Sequence, residues 1–491
     1  MKSKFSKVLS ILLSVVLVIS SFYLLYQVIR LNVLPSKFLF PLTIGVVVLD
    51  AIFVLLLVYF SKNVFSKIVC IILTLFICLA SCMGGYYISK TQGALSNITS
   101  VAKHAKNTVS VVVKESSSIQ NKSQLNGISV GSLRLNEEGS KKALKELSNE
   151  GIVLNQTEYD SMTALLEAFY NGEVDSIIIN ESSRSQILDM EAYSNFDSNT
   201  RVVYQTSYKV KNNDSATSVS DITSKPFNVL ISGSDTRGGF DENGRSDVIM
   251  VATVNPKTHT ILLTSVPRDF YVTTACDAGD GCMQGALDKI THTGIHGTNT
   301  TKRTVEQLLG IEINYTFKVG FDTVTELVDV LGGVDVYVEP GYATTTSEFS
   351  VHEGVNHLNA QQALAFARER YSYTEGDRQR TKNQQQVLMG IVKEATKPSV
   401  ITNYAAIMDT MANTFSTTMS NAEITDLIKY QLNNNPTWKM EQYMVDGTGD
   451  TLMCAELGDA ASVMVPDQST VKMAKDKINA VLAGKSSEDV K

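Results

Sequence analysis

The segment Pro226–Asp247 reads PFNVLISGSDTRGGFDENGRSD, an apolar run that gives way to acids and arginines. Two other segments have this form: Ile261–Val272, ILLTSVPRDFYV, and Ala363–Gln386, ALAFARERYSYTEGDRQRTKNQQQ. Because charged side chains are costly to bury unless they are paired or hold an ion, such charges at the ends of apolar segments indicate a site. Arginine donates paired hydrogen bonds to phosphate, and aspartate suits a Mg²⁺ ion that bridges to phosphates. These residues therefore predict phosphoryl-transfer chemistry.

Short apolar runs alternate with helical patterns around these segments. The predicted strands are Phe227–Ile231, Val248–Val254, Thr260–Ser265 and Val334–Val338. The predicted helices are Thr304–Leu309, Thr323–Leu331, Ala360–Ala367 and Gln468–Leu482. This alternation is typical of an α/β domain with a central sheet covered by helices, and we expect the domain to occupy residues 226–491.

Three charged residues flank the predicted strands. Asp235 follows the first strand, Asp247 precedes the second and Arg268 follows the third. Ligand sites in open α/β sheets lie at the carboxyl ends of strands, where two of these residues fall. We therefore expect Asp235 and Asp247 to hold Mg²⁺, with Mn²⁺ as an alternative, beside arginines that neutralise a pyrophosphate.

The third segment predicts more site residues, two just after one helix and three on the next. Arg368 and Arg370 would diverge on a helix but share a face of an extended chain, so we expect both to follow the end of the preceding helix. Asp377, Arg380 and Gln384 are spaced by three and then four residues, which places them on one helical face.

The weaker alternative for each of these residues is a surface role. A single arginine–aspartate pair is more often a weak surface ion pair, but nine polar residues in these positions favour a site. His292 and His296 are four residues apart, without an HExxH pattern or a third ligand, and are expected in a loop or pocket wall. Lys289 is equally compatible with a phosphate contact and with none.

Three apolar stretches begin the chain, at residues 8–26, 38–60 and 64–88. Each has roughly the 20 residues that a helix needs to cross a bilayer. Asp50 in the second stretch is costly in lipid, so we expect it to face the other helices. Lysines are concentrated before the first stretch and between the second and third, so the positive-inside rule predicts a cytoplasmic N-terminus and extracellular domains in a multi-pass membrane protein.

Residues 91–220 predict a small α/β accessory domain without concentrated site chemistry, and a structural or partner-binding role is preferred for it. Its predicted strands include Thr108–Val113 and Ile152–Asn155, and a polar linker follows at Lys211–Lys225. Cys276 and Cys282 bracket a short loop and are equally compatible with a disulfide and with free thiols. The formal net charge of −7 argues against nucleic-acid binding, which needs a basic face.

Seven motifs, taken together in this order, resemble the LytR–CpsA–Psr family of Gram-positive bacteria. They are LISGSDTR, GRSD, SVPRD, DKITH, LGGVDVYV, HLNAQQALAFARERY and GDRQRTKNQQQ, within residues 226–399. Three N-terminal spans and an accessory domain are similar to the streptococcal capsule-associated branch. The resemblance implies an α/β/α domain with a central mixed sheet. It also implies an enzyme that attaches a glycopolymer, capsular polysaccharide above all, from a polyprenyl-pyrophosphate carrier to peptidoglycan.

The resemblance further implies roles for individual residues. Asp235 and Asp247 would hold Mg²⁺ and, with Arg268, would carry the catalysis. The pyrophosphate would be bound by Arg245, Arg268, Arg368, Arg370, Asp377, Arg380 and Gln384. An apolar lipid tunnel would be lined by Leu327, Val330, Leu331, Val334, Val336, Leu364, Phe366, Leu388 and Ile391. The chain departs from the family pattern at Lys382–Asn383, which we expect to be peripheral.

The expected reaction is an in-line attack by a peptidoglycan sugar hydroxyl on the sugar-linked phosphorus, with Asp247 or Asp235 as a candidate base. With water as the acceptor, the same site would make the protein a pyrophosphatase. Without catalysis, it would be a membrane regulator of capsule synthesis. The expected partners are the lipid-linked saccharide, peptidoglycan, the membrane and the capsule-synthesis machinery, and no nucleic acid.

Overall fold

The computed structural model describes residues 2–60, 63–101, 104–134, 137–211, 214–234, 242–277, 281–397 and 400–490. The chain forms two compact units. One comprises Met1–Asn97, Glu394–Ala412 and Ser420–Thr437, and the other comprises Ile98–Lys393, Asn413–Met419 and Trp438–Lys491. The predicted division at 1–90, 91–220 and 226–491 stays a prediction.

Fourteen α-helices and nineteen strands are described, together with short 3₁₀ and π turns. The helices are α1 Lys2–Leu31, α2 Ser36–Leu55, α3 Val64–Val101, α4 Glu137–Asn149, α5 Met162–Asn171, α6 Arg184–Asp189, α7 Phe196–Asn199, α8 Thr298–Leu309, α9 Phe321–Leu331, α10 Ala360–Arg368, α11 Asp377–Ala395, α12 Val400–Thr414, α13 Asn421–Asn434 and α14 Gln468–Leu482. The strands are β1 His104–Lys114, β2 Ser129–Leu133, β3 Asn155–Tyr159, β4 Ser176–Asn180, β5 Thr200–Lys211, β6 Phe227–Ser234, β7 Ser246–Asn255, β8 Thr260–Ser265, β9 Tyr271–Thr273, β10 Leu287–Lys289, β11 Tyr315–Gly320, β12 Val334–Val338, β13 Thr344–Thr345, β14 Ser350–Val351, β15 Gly354–Leu358, β16 Phe415–Thr417, β17 Lys439–Met444, β18 Gly447–Cys454 and β19 Asp459–Pro466.

Three helices of the first unit are long and apolar enough to cross a membrane. They span Lys7–Leu31, Ser36–Phe60 and Val64–Thr99, in agreement with the three predicted stretches. Ser21 of α1 donates a hydrogen bond to the Asp50 Oδ1 atom of α2 at 2.9 Å. The expectation that Asp50 faces another helix is therefore confirmed.

The accessory domain is a five-stranded mixed sheet in the order β3-β2-β4-β1-β5. Alternate residues of β4 point to opposite faces, so Ile177 and Ile179 pack in one apolar core and Ile178 packs in another. Helix α5 covers the first face and α4 covers the second. The domain therefore has three layers, as the α/β pattern predicts.

The second domain has a six-stranded mixed sheet in the order β16-β11-β6-β7-β8-β17. Leu230, Ile249 and Val251 on one face pack against α8 and α14 in the largest described core. Ile231 on the other face points toward α10 and α11. The α/β/α architecture with a central mixed sheet is therefore confirmed.

Two predicted strands need correction. Val334–Val338 is a strand, but it pairs with β15 in a separate two-stranded sheet rather than in the central sheet. The strand predicted at Ile152–Asn155 instead begins at Asn155, because the paired segment NQTEY is polar and exposed at the sheet edge, where it needs no apolar face.

Candidate active site

Asp247 occupies a β-bulge at the start of β7, an interior strand of the central sheet. Strands β6 and β7 are antiparallel, and their register passes from the pair Gly233–Val248 directly to the pair Ser234–Ser246. Asp247 is therefore the extra residue, and a bulge redirects such a side chain beside many active sites. The expectation that Asp247 precedes the strand is wrong, because the bulge lets pairing extend beyond the apolar run.

Gly233 allows the two strands to approach at this bulge. A Cβ atom on Gly233 would lie 2.8 Å from the Val248 Cβ atom and 3.0 Å from its Cγ2 atom. Any larger residue would separate the strands where the site begins.

A 3₁₀ helix, Ile290–His296, packs against the start of β7. A Cβ atom on Gly294 would lie 2.5 Å from both the Gly244 carbonyl oxygen and the Ser246 Oγ atom. The close packing holds the backbone on both sides of Arg245.

Buried hydroxyl groups support the same backbone from behind. The Ser246 Oγ atom lies 2.9 Å from Ser232 Oγ and 3.1 Å from Thr301 Oγ1. Thr293 Oγ1 donates to Thr301 Oγ1 at 2.9 Å. Because these buried groups satisfy one another, the start of β7 is held without unpaired hydroxyls at these positions.

Three residues from different elements meet at one carboxylate oxygen, Asp247 Oδ1. Arg268, which follows β8 as predicted, donates to it from Nη1 at 2.8 Å. Thr291 Oγ1 donates to it at 3.4 Å, and Arg245 Nε lies 3.9 Å away. The side chains of Arg245, Asp247 and Arg268 are only 12%, 10% and 19% exposed. This end of the central sheet therefore contains a nearly buried charged group.

The remaining predicted residues lie on α10, on α11 and in the segment between them. Asp377, Arg380 and Gln384 share one face of α11, and Arg380 Nη2 lies 2.5 Å from Asp377 Oδ1. Arg370 follows α10, as expected, and its guanidinium lies 4.8 Å from the centre of the Tyr371 ring. Arg368 is instead the last residue of α10 and is exposed, because the chain becomes extended only at the next residue.

A buried amide fixes α11 against the end of α10. Asn383 is 1% exposed, and its Nδ2 atom donates to the Phe366 carbonyl oxygen at 3.0 Å. Gln385 Nε2 donates to Ser265 Oγ at 2.8 Å and so joins α11 to the end of β8. The expectation of a peripheral role is therefore wrong for Asn383.

The arginines of the two groups share one electrostatic environment. Burial lowers the pKa of Arg380, and the positive charges of Arg268 and Arg370 lower it further against the opposing effect of Asp377. Burial also opposes the charge of Arg268, but neighbouring carboxylates, that of Asp247 foremost, raise its pKa above the ordinary value. An anion bound near Arg380 would therefore stabilise the charged form of this arginine.

Several arginine donors at this site have no hydrogen-bond acceptor within the described chain. These are the buried Nε atoms of Arg245, Arg268 and Arg380. A buried donor without an acceptor costs about 1–3 kcal/mol, and more when it is charged. Phosphate oxygens would satisfy such donors, so the geometry suits an oxyanion ligand.

An apolar cavity lies between the central sheet and helices α10 and α11. Its empty volume, including space open to solvent, is about 610 Å³. The lining residues are Ile231, Gly233, Ser234, Val248, Met250, Val319, Gly320, Val324, Leu364, Ala367, Gln384, Val387, Leu388 and Ile391. Gln384, one turn of α11 from Arg380, joins the cavity to the arginine group.

A model of the LytR_cpsA_psr family matches residues 192–480 of the chain. This chain belongs to the LytR_cpsA_psr family. The match includes the central sheet, the arginine group and the apolar cavity.

Proteins similar in sequence to this chain include teichoic acid transferases. The chain is 31% identical, over 48% of its length and 76% of the relative, to the polyisoprenyl-teichoic acid–peptidoglycan teichoic acid transferase TagU of Bacillus cereus. It is 35% identical to TagU of Bacillus subtilis, over 40% of this chain and 60% of that protein. The crystal structure of protein gbs0355 from Streptococcus agalactiae is 25% identical, covers 53% of this chain and 89% of that chain, and has a TM-score of 0.45.

Eight of the nine residues predicted for the tunnel line the cavity, pack in a neighbouring core of the LytR_cpsA_psr domain or, for Ile391, do both. Leu364, Leu388 and Ile391 line the cavity. Leu327, Leu331, Val334, Val336 and Phe366 instead pack together in an apolar core around β12 and α10. The expectation was incomplete because apolar spacing does not distinguish side chains that pack from side chains that border empty space.

His292 and His296 of the LytR_cpsA_psr domain line a pocket, as expected. His292 Nδ1 lies 2.7 Å from Asp288 Oδ1, and His296 Nε2 lies 2.9 Å from Glu456 Oε2. Within the described ranges, no three histidine, cysteine or acidic side chains form a group that would hold a metal. Lys289 lies 3.4 Å from Asp269 and is paired there.

Two features near the site were not predicted from the sequence, and one predicted residue lies outside the described ranges. Asp189, in the accessory domain, pairs with Arg245 through its Oδ2 atom. Asp269 lies 3.7 Å from Arg268 Nε. Residues 235–241, and so Asp235, are not among the described residues. The SVPRD motif contains Asp269, whereas no local pattern marks Asp189.

Proposed function

We propose that this chain is a phosphotransferase that moves a cell-wall glycopolymer from a polyprenyl-pyrophosphate carrier to peptidoglycan. The observation that carries the proposal is the buried arginine group, whose Nε donors have no hydrogen-bond acceptor within the described chain. Arg380 of this group lies one helical turn from Gln384, which lines the apolar cavity. A polyprenyl pyrophosphate has two matching parts, an anionic head and a long apolar chain.

In this reaction a sugar hydroxyl of peptidoglycan attacks the phosphorus that bears the glycopolymer. A P–O bond to the acceptor forms, the bridging P–O bond of the pyrophosphate breaks, and polyprenyl phosphate leaves. Arg268 and Arg380 would donate hydrogen bonds to phosphate oxygens and neutralise the charge that grows on the leaving group. Asp247 and Asp235 are the candidates to accept the hydroxyl proton.

Mg²⁺ is the cation proposed for this end of the sheet, and the free oxygen of Asp247 supports it. The described contacts of Asp247 use Oδ1, which leaves Oδ2 for a cation. Because Mg²⁺ binds proteins through one or two carboxylates together with phosphate oxygens and water, Asp247 and Asp235 would hold it. The bound ion would supply positive charge against the pyrophosphate, and Mn²⁺ accepts the same ligands.

The donor polymer is a cell-wall glycopolymer, and two classes are candidates. The TagU relatives are named for teichoic acid, whereas the arrangement of three spans and an accessory domain is similar to the capsule-associated branch. The apolar spans favour a membrane location, next to a lipid-linked donor. The N-terminus would be cytoplasmic and the accessory and LytR_cpsA_psr domains extracellular.

The test is release of polyprenyl phosphate by the full-length chain in detergent, with Mg²⁺ and with peptidoglycan oligomers present or absent. Donors carrying teichoic acid and capsular saccharide are compared. We expect saccharide on the peptidoglycan, and a rate at least about 100-fold lower for Arg268→Ala, since removal of one oriented donor at a developing oxyanion has effects of that order. Arg303→Ala is the matched control, because Arg303 on α8 pairs with Asp277 away from this site.

Three results would contradict the proposal. Release of polyprenyl phosphate without attachment would indicate a pyrophosphatase. Donor binding without release would indicate a membrane regulator. Equal activity of Arg268→Ala and Arg303→Ala would show that the arginine group does not take part in the reaction.

A further inference from the structure

Arg245 is shared between the LytR_cpsA_psr domain and the accessory domain. Its Nη1 atom donates to Asp189 Oδ2, at the end of α6. Its Nε atom points toward the site, 3.9 Å from Asp247 Oδ1 and without a hydrogen-bond acceptor in the described chain. The Arg245 side chain is 12% exposed and that of Asp189 is 60% exposed, so the accessory domain supplies the solvent-facing partner.

Packing fixes the position of Asp189. The next residue, Met190, packs against both the accessory-domain core around Phe169 and the small core of the β18–β19 hairpin around Cys454. At the same boundary, a Cβ atom on Gly458 would lie only 2.1 Å from the Ser161 Cβ atom. Asp189 therefore presents its carboxylate from a docked surface rather than from a free loop.

A second contact from the accessory domain holds the chain just before Arg245. Glu242 is 8% exposed and accepts a hydrogen bond from Thr108 Oγ1 of β1. Lys106 Nζ of the same strand lies 3.4 Å from Glu242 Oε1. The segment from Glu242 to Arg245 is thus held at both ends by the accessory domain.

We propose that Asp189 is a positioning residue for Arg245 and that the accessory domain thereby completes the pyrophosphate site. With Nη1 held by Asp189, Arg245 is kept from closing onto Asp247, and its Nε donor stays available for a phosphate oxygen. Loss of Asp189 lets the guanidinium pair with Asp247, which removes a donor and occupies a carboxylate. This inference rests on the proposed function, because it assigns Arg245 to the pyrophosphate.

The test uses the full-length chain in detergent and two readouts, the KM for the polyprenyl-pyrophosphate saccharide and the dissociation constant for inorganic pyrophosphate. We expect Asp189→Ala and Asp189→Asn to raise both by about fivefold, the size expected for a well-ordered ion pair, with kcat changed far less. Thr163→Ala is the control, because Thr163 Oγ1 donates to Asp459 across the same boundary, at 3.3 Å and away from Arg245. In an Arg245→Ala background, Asp189→Ala should have no further effect.

The outcomes separate this inference from the proposed function. Pyrophosphate binding that depends on Asp189 in a chain without transfer activity would support the inference and overturn the function. Unchanged constants in Asp189→Ala would overturn the inference alone, as would tighter binding, which would make Asp189 a competitor of the ligand. Equal effects of Asp189→Ala with and without Arg245 would also overturn it. A chain that neither turns over nor binds pyrophosphate overturns both.

Discussion

The pair of Arg268 and Asp247 shows how an arginine can be anchored by one donor and keep another donor available for a ligand. Its Nη1 atom donates to Asp247 at 2.8 Å, while its Nε atom lacks an acceptor in the described chain. A guanidinium has five N–H donors in a fixed plane, so anchoring one end orients the other. A lysine at this position would use its single charged group for the anchor and would leave no second oriented donor.

Gly294 is not proposed to contact a ligand, but its replacement should disturb the backbone that holds the site. We predict that Gly294→Ala lowers the transfer rate about 100-fold, the effect expected from shifting a positioned group by about 1 Å. The added Cβ atom would meet the Gly244 carbonyl at 2.5 Å, and backbone cannot rotate away. The measurement is kcat in the assay above, with circular dichroism to verify folding.

Gly449→Ala is the matched control for that substitution. No atom lies within 4 Å of a Cβ added at Gly449, so its rate should equal that of the unmodified chain. A Gly294→Ala rate close to the Gly449→Ala rate would show that the 3₁₀ helix does not position Arg245 and Asp247.

At the same scale, some site residues could be predicted and others could not. Asp247, Arg268 and Arg380 were predicted because their charge at the ends of apolar segments is itself informative. Asp189 lies 56 residues before Arg245, in another domain and on a short helix. Only the folded chain brings those two residues together, so local patterns contain no signal for the contact.

At the scale of elements, the two faces of β6 and β7 serve different purposes. Leu230 and Val251 pack against helices, whereas Ile231 and Met250 border the cavity. Strand alternation places neighbours in sequence on opposite faces, so one strand contributes both to the core and to the wall of the cavity. The strand residues of the cavity wall were not predicted because alternation alone does not say which face is filled.

We predict that Leu364→Trp fills the cavity and raises the KM for a long-chain polyprenyl donor by at least about tenfold, the effect of losing roughly 1.4 kcal/mol of lipid binding. A donor with a very short prenyl chain should show little change, because it buries less apolar surface. Gln361→Trp, on the exposed side of the same helix, is the control. Equal KM increases for both donors would exclude the cavity as the lipid site.

The linker before β6 contains an aspartate, Asp214, whose pKa is raised by burial. Thr316 Oγ1 donates to Asp214 Oδ2 at 2.5 Å, and desolvation raises the pKa of Asp214 to about 6. The folded chain then binds more protons than the unfolded chain between about pH 4 and 6, so this group makes stability fall as pH rises through that window. We predict that Asp214→Asn is more stable than the unmodified chain at pH 7 and that the difference shrinks toward pH 4.

Thermal unfolding of the detergent-solubilised chain at pH 4, 5, 6 and 7 measures this difference. Asp221→Asn is the control in the same linker, because hydrogen bonds from Ser224 and Thr223 lower the pKa of Asp221 instead. That variant should gain no stability at pH 7. A constant difference between Asp214→Asn and the unmodified chain at all four pH values would contradict the assignment.

Element boundaries were predictable where local chemistry marks them. Strand β8 and helix α14 begin and end as predicted, because an apolar run or a helical repeat is bounded by turn and cap residues, such as Asp467. Asn359 caps α10 in a capping box with Gln362. The partner of β12 was not predictable, because strand pairing depends on contacts distant in sequence.

At the scale of the whole molecule, the apolar spans and the cysteines bear on the same question of location. The chain contains a Cys276–Cys282 disulfide, which is the oxidised of the two alternatives that the spacing allows. Disulfides persist in oxidising surroundings outside the cell. Three candidate spans after a cytoplasmic N-terminus would place both cysteines there.

We predict that protease added to intact protoplasts cleaves the chain after residue 104 and leaves an N-terminal tag intact. The physical reason is the lysine bias around the apolar stretches, which favours a cytoplasmic N-terminus. Immunoblotting with tags at both ends measures the result, and lysed protoplasts, in which both tags are accessible, are the control. A C-terminal tag that is protected until lysis would reverse the proposed orientation.

The bulge at Asp247 also makes the site sensitive to chain length. Side chains alternate along a strand with a period of two, so deleting one residue at the bulge would restore regular pairing and leave no redirected carboxylate. An insertion or deletion there would therefore shift the register between the two strands, even if no other residue changed. Homologues that vary in length in this hairpin should differ in the site itself. Substitutions that keep the length should leave the strand register unchanged.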